Sequence, residues 1–214
     1  MSFSNVNVAN LALAHLGAGG TITSLSTDVS EAVDAVNAFL EITRDQTLRD
    51  FPWPFATMIV DSTVTNTGGF IEVEEDPNDE WGFSYRYPTD CLEIRRIQSG
   101  LRQDVPGSRV PYRVGFDGTT TTATGRLIFT DMEDAILEYT AALTDTSIFP
   151  VDFIMAWSYR LAWHIAPKLA QNYSPQMAQN LMQMYALQLG RAQANSANEE
   201  QPDRPSDAEW VNGR

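Results

Sequence analysis

A chain of 214 residues with 43 % apolar content can bury one substantial core, with room for a second small lobe, and is too apolar to be disordered. Twenty-eight acidic residues against 14 basic ones leave a net charge of -14, which excludes a DNA-wrapping or sequence-reading surface while still permitting an acidic channel lining past which a duplex slides. No apolar run reaches the roughly 18 residues of a membrane helix, no basic residue precedes an apolar stretch at the N-terminus, and the lone Cys91 excludes an internal disulfide or a cysteine-rich metal site. The chain reads as a soluble protein made in the cytoplasm. Lys168 is the only lysine beside 13 arginines. That bias fits an interface-rich protein, since arginine forms bidentate pairs and stacks on aromatics, or it reflects compositional drift.

In chain order, Ser4 or Asn5 caps a first helix that runs to Leu16, with Val6, Ala9, Leu13 and Leu16 on one face and Gly17 ending it. Ile22 and Leu25 are expected to plug into the core. Asp28 with Glu31 three residues on predicts the cap of a second helix, which carries Val36, Leu40 and Leu48 and stops at Pro52 and Pro54. From 58 to 144, short β-branched and aromatic runs predict strands at Met58–Thr65, Phe83–Tyr87, Cys91–Gln98, Arg109–Val114, Arg126–Thr130 and Ala135–Thr140. Seven acids and no base between Val60 and Ser84 predict an exposed, solvated loop or hairpin tip there. The Thr- and Gly-rich 117–125 stretch predicts another loop. Helix returns at Pro150, with Phe153, Trp157, Leu161 and Ile165 in a stripe, until Pro167 kinks or ends it. Ser174 and Pro175 then start a last helix of about 33 Å, reaching Asn195. The expected fold is α+β: a helical bundle from residues 1–57 and 145–195, a small antiparallel β lobe at 58–144 inserted into it, and an extended C-terminal tail at 196–214.

That tail holds two prolines, five acids and little periodicity. Trp210, its only large aromatic, is the candidate anchor on a neighbouring subunit or protein, with Arg204 and Glu209 as polar contacts beside it. Fully extended, its 19 residues span up to about 65 Å. The alternative is a tail folded back on its own domain.

Candidate chemistry is sparse. His15 and His164 each sit alone on a predicted helix, with no second histidine at metal-binding spacing, and read as packed helical residues. There is no nucleophile elbow and no phosphate loop; Gly17–Gly20 follows a helix where such a loop would follow a strand. Cys91 reads as core. The acids at 72–80 lack the spacing of a calcium loop and read as a solvated charge run. No catalytic, metal-binding or cofactor-binding residue is assigned, and the chain reads as a structural protein, not an enzyme.

The order of motifs does carry a resemblance. N-L-A-L-A-H-L-G-A at 10–18 with the following Ile22 and Leu25, the helix Ala32–Asp50 with Arg44 near its end running into D-F-P-W-P-F-A at 50–56, W-G-F-S-Y-R-Y-P-T-D-C-L-E-I at 81–94, and Tyr159–Ala170 with the long helix to A-Q-A-N-S-A-N-E-E at 192–200 resemble the head-to-tail adaptor family of tailed bacteriophages, which includes the tail tubular proteins beneath the portal. The pair D-F-P-W-P-F-A and Y-P-T-D-C-L is the most specific part. The resemblance implies a virion protein at the head–tail interface. It would form a ring of about twelve copies with head-to-tail lateral contacts. Its partners would be the portal on one side and a downstream tail protein (nozzle, tube or terminator) on the other, around a channel that DNA crosses without sequence-specific binding. Pro52, Trp53, Pro54 and Phe55, with Tyr87, Pro88 and Asp90, are expected to form the structural junction between helices and strands. The stretch from 61 to 80 is longer and more acidic than the family pattern, and the chain after Glu200 is individual. A head-completion or tail-terminator protein is the near alternative. A virion-associated cell-wall hydrolase working through paired carboxylates is the distant one.

Overall fold

The computed structural model describes residues 3–18, 20–66, 68–101, 109–116 and 125–197. Four helices, α1 (Asn5–His15), α2 (Glu31–Arg49), α3 (Val151–Leu169) and α4 (Pro175–Ala197), pack around α3, which touches the other three. Ser4 caps α1, its hydroxyl accepting the Asn7 N–H at 3.3 Å. The cap of α2 is Ser30, whose hydroxyl accepts from Val33 N. Asp28, the expected cap, turns back to accept the N–H groups of Thr23 at 2.8 Å and Ser24 at 2.9 Å, closing the preceding loop. Ser174 accepts from Met177 N at the start of α4. Helix α3 continues through Pro167 to Leu169: a proline this close to the C-terminus disturbs only the last turn.

Seven strands follow from the middle of the chain: β1 (Thr57–Asp61), β2 (Glu72–Asn78), β3 (Trp81–Arg86), β4 (Cys91–Gln98), β5 (Tyr112–Phe116), β6 (Arg126–Thr130) and β7 (Ile136–Ala141). They form two antiparallel sheets, one ordered β1-β7-β4 and the other β2-β3-β6-β5. In the first, Val60 pairs Leu137 and Leu137 pairs Ile97, a buried row across all three strands. In the second, Tyr85 pairs Ile128 and Ile128 pairs Val114. Ile97, Leu137 and Tyr139 from one sheet meet Tyr85 and Ile128 of the other, with Phe70 from the loop before β2, in a single apolar cluster. The first sheet also meets α2 through β4 and β7.

The expectation of a helical bundle carrying one small β lobe is therefore overturned. The class is α+β, but the strands build two sheets with a core of their own, distinct from the helical core around Trp53, Phe153 and Trp157. One stretch was misread. The acidic stretch 72–78 is a strand: Val73 is half-buried while the acids stay exposed on the open edge of the second sheet, where charge, Pro77 and two register shifts keep other strands from pairing. The other edge strand, β5, falls where the strand Arg109–Val114 was expected, displaced a few residues toward the C-terminus. The predicted loop at 117–125 lies outside the described residues except for Gly125, and the tail from 198 onward lies outside them too. Residues 196 and 197 belong to α4.

The junction and the exposed surfaces

Asp50 ends α2, and the next six residues turn the chain from helix to strand. Trp53 is buried, donates its indole N–H to Thr47 O at 3.0 Å, and stacks edge-on against Phe51 and Phe153. Pro54 opens a single 3₁₀ turn to Ala56, and Phe55 packs on Phe149 and Phe153. Pro52 stays exposed on the surface of the turn. The prolines set the backbone direction, and the two aromatics tie that turn to α3.

Tyr87–Asp90, expected as the other half of the junction, joins strands to one another: its hydrogen bonds reach β6, the end of β7 and the loop before β2, and none of them a helix. Cys91 N donates to Pro88 O at 3.2 Å, making the turn that begins β4. Thr89 N donates to Gly68 O, and Ala142 N donates to Asp90 O at 2.7 Å. The Asp90 carboxylate accepts the Tyr139 hydroxyl at 2.9 Å. Burial first, and the Asp90 carboxylate second, hold the Tyr139 phenol protonated well above its usual range. Gly68 closes the cluster: a Cβ there would stand 2.6 Å from Asp90 Oδ1 and 2.9 Å from Pro88 Cβ, so only glycine fits. Arg126 lies 4.0 Å from the centre of the Tyr87 ring. Burial pushes the Cys91 thiol up to about 11, which leaves it an unreactive packing group.

Sequence reasoning named Pro52, Trp53, Pro54, Phe55, Tyr87, Pro88 and Asp90 for these two corners but missed Tyr139 and Gly68, which come from a distant strand and loop. It also missed a triad beside the first corner. Asp50 accepts from both Arg160 and the Tyr185 hydroxyl, Arg160 reaches Gln46 at 3.1 Å and Tyr185 at 2.7 Å, and the three side chains lock the end of α2 to α3 and α4. Burial, then the bond to Asp50, raises the Tyr185 phenol. Tyr185 carried only the signal of an apolar stripe.

A cleft of about 390 Å³ beside Pro52 gathers Arg95, Arg96, Arg109, Tyr112 and Glu138. Adjacent arginines on a regular strand would face opposite sides, but the register shift between Ile94 and Arg96 brings both to this cleft. Arg95 donates to Thr140 Oγ1 at 2.8 Å and to Arg49 O, and pairs with Glu93; Arg96 pairs with Glu138 at 2.7 Å. These arginines bind the first sheet to α2 and to itself.

The histidines are packed. His15 stacks on Tyr159 with ring centres 3.8 Å apart and meets Ser158 Oγ at 3.0 Å; His164 lies against Phe39 and Trp163. Burial lowers both, with the Arg160 charge adding to the effect at His164. Among the described residues, no three histidine, cysteine or carboxylate side chains converge on a point where a metal ion could sit, and no helix is long and apolar enough to cross a membrane. The candidate contacts Arg204, Glu209 and Trp210 lie outside the described residues.

No protein-family model matches the chain, and no curated protein matches it in sequence.

Proposed function

We propose that the protein is a structural virion component, a head-to-tail adaptor that forms a ring beneath the portal of a tailed bacteriophage and joins capsid to tail. The observation that carries this reading is the two-ended build, in which a helical layer and a pair of sheets with separate cores are fastened by the corner at 50–56 and by the bond from Arg95 on β4 to the Arg49 carbonyl of α2. A subunit that must hold one partner at each end needs such a strut. The corners coincide with D-F-P-W-P-F-A and Y-P-T-D-C-L, the two most specific motifs of the family resemblance.

In this reading the helical layer makes the lateral and portal contacts, the sheets face the next tail component, and the chain after Ala197 reaches a neighbour through Trp210. The acidic edge strand β2 keeps the tail-facing end from aggregating through open strand pairing. DNA passes a surface whose net charge of -14 offers it no general grip. No residue is assigned to catalysis.

The test is the mass of the purified protein alone and mixed with the portal of its own virus, by mass photometry at modest salt. A monomer that becomes a ring-sized complex with portal supports the adaptor. A protein that stays monomeric and binds no virion component overturns it, and cell-wall hydrolysis then becomes the assay to run.

A further inference from the structure

One residue in five of this chain is charged, yet residues 1–27 hold no Asp, Glu, Lys or Arg, and neither do residues 169–190. In the fold these two stretches become α1 with its following loop, and most of α4. Both helices pack on α3, and they share no extensive contact with each other. A subunit thus presents two separate neutral faces on an otherwise acidic body.

The exposed face of α4 is built from Gln183, Ala186, Gly190 and Ala194, flanked by Met182 at 45 % and Leu187 at 48 % exposure. Arg191 stands at its margin. Gly190 is unexplained by the fold itself. It sits mid-helix with an ordinary backbone angle, and a Cβ added there would meet nothing within 4 Å. A glycine in that setting costs a helix stability relative to alanine, and no described residue comes within reach of the space it leaves. The outer face of α1 is similarly small and neutral, with Asn7 and Ala14 exposed and Leu11 partly so.

Charge decides what covers these faces. Each copy carries -14, so two copies repel unless they meet where charge is absent. A basic partner would instead be drawn to the acidic strands and would gain nothing from a neutral face. Interface centres are also depleted in charge and enriched in methionine, as here. Because the two faces differ, their union is head-to-tail and can close into a ring.

We infer that the α4 face of one copy packs on the α1 face of the next copy, forming the lateral seam of the assembly. This rests on the ring reading above and names the surface that makes the ring. Small side chains on both helices let the axes approach to the short end of the usual 8–10 Å range.

The experiment compares the wild type with the double variant Ala186→Glu/Gly190→Glu, each alone and with the cognate portal, by mass photometry, with circular dichroism to verify the helices. Both substitutions point to solvent in the monomer, so the variant should fold. The expected result is a wild type that assembles and a variant whose assembly midpoint moves up at least tenfold in concentration. Adding Ala14→Lys to the variant should recover part of that loss, because the new lysine faces the new glutamates only across a head-to-tail seam. A wild type that assembles together with an equally competent glutamate variant would overturn the seam and leave the ring reading standing. A glutamate defect that Ala14→Lys fails to relieve overturns the α1 half of the contact. A wild type that never assembles, with portal or without, sinks the ring reading and the seam together.

Discussion

In the helical layer, Trp53 and Trp157 both end on α2: one donates to the Thr47 carbonyl, the other to the Thr43 hydroxyl, and Thr43 and Thr47 in turn bond back to carbonyls four residues earlier. In the sheets, Tyr85 donates to Met132 O at 2.7 Å and Tyr139 to Asp90, each reaching across to a loop. Each of these four rings carries one polar atom and satisfies it, whereas Trp81 on β3 leaves its buried indole N–H without a partner among the described residues. The partners differ in kind. Helices close their own backbone bonds, so their rings lean on side chains and carbonyls of a neighbouring helix turn. Sheet rings depend on loops that only the correct register brings near. The helical layer should therefore be the sturdier region, and the sheets the one more sensitive to a single misfit.

The strongest way to break that contrast is Trp53→Ala. It removes a fully buried ring that touches Phe51, Phe55 and Phe153 and leaves the Thr47 carbonyl without its donor. A loss of about 3–5 kcal/mol is expected, read as a lower urea midpoint. Because Trp53 lies where helices give way to strands, both layers should melt together; a loss confined to the helices would mean the corner does not couple them.

Gly68→Ala sharpens the contrast at the other corner. The new methyl must displace Asp90, Tyr139 or Pro88, for an expected cost of about 1–3 kcal/mol. Amide exchange should rise in β4 and β7 while α3 stays protected. Equal loosening of α3 would show that the two cores are one cooperative unit.

The smallest effect is that of pH. Burial lowers His15 and His164 from 6.5, so the unfolded chain takes up protons that the folded chain refuses. Their contribution to stability is complete above about pH 6.5 and shrinks as the pH falls through that value toward the lowered folded ones. The carboxylates held down by turn hydrogen bonds, Asp28, Asp61 and Asp145, lose theirs only near and below 3.8. A thermal midpoint that drops between pH 7 and 5 in the wild type and less so in His15→Gln is expected. An unchanged slope in that variant would place the titration elsewhere.

What the sequence determined by itself is the order and type of most elements. Caps at Ser4 and Ser174, the proline stop after Asp50 and the short apolar run in Cys91–Gln98 act within a few residues, and local chemistry is enough to read them. Its errors fell where a distant partner outweighs local preference. Glu72–Asn78 looks like a solvated run until β3 supplies backbone partners for it, and the β2–β3 and β5–β6 pairs become one sheet only where β3 pairs with β6, far along the chain. The same holds at the surface. Pro52–Phe55 and Tyr87–Asp90 are visible as motifs, but that Gly68 and Tyr139 complete the second corner, that Arg160 and Tyr185 clamp Asp50, and that two charge-free stretches become separate outward faces were decided by packing alone. Sequence spacing carries no information about which loop will meet which ring, because that choice depends on buried contacts formed only when all layers are in place.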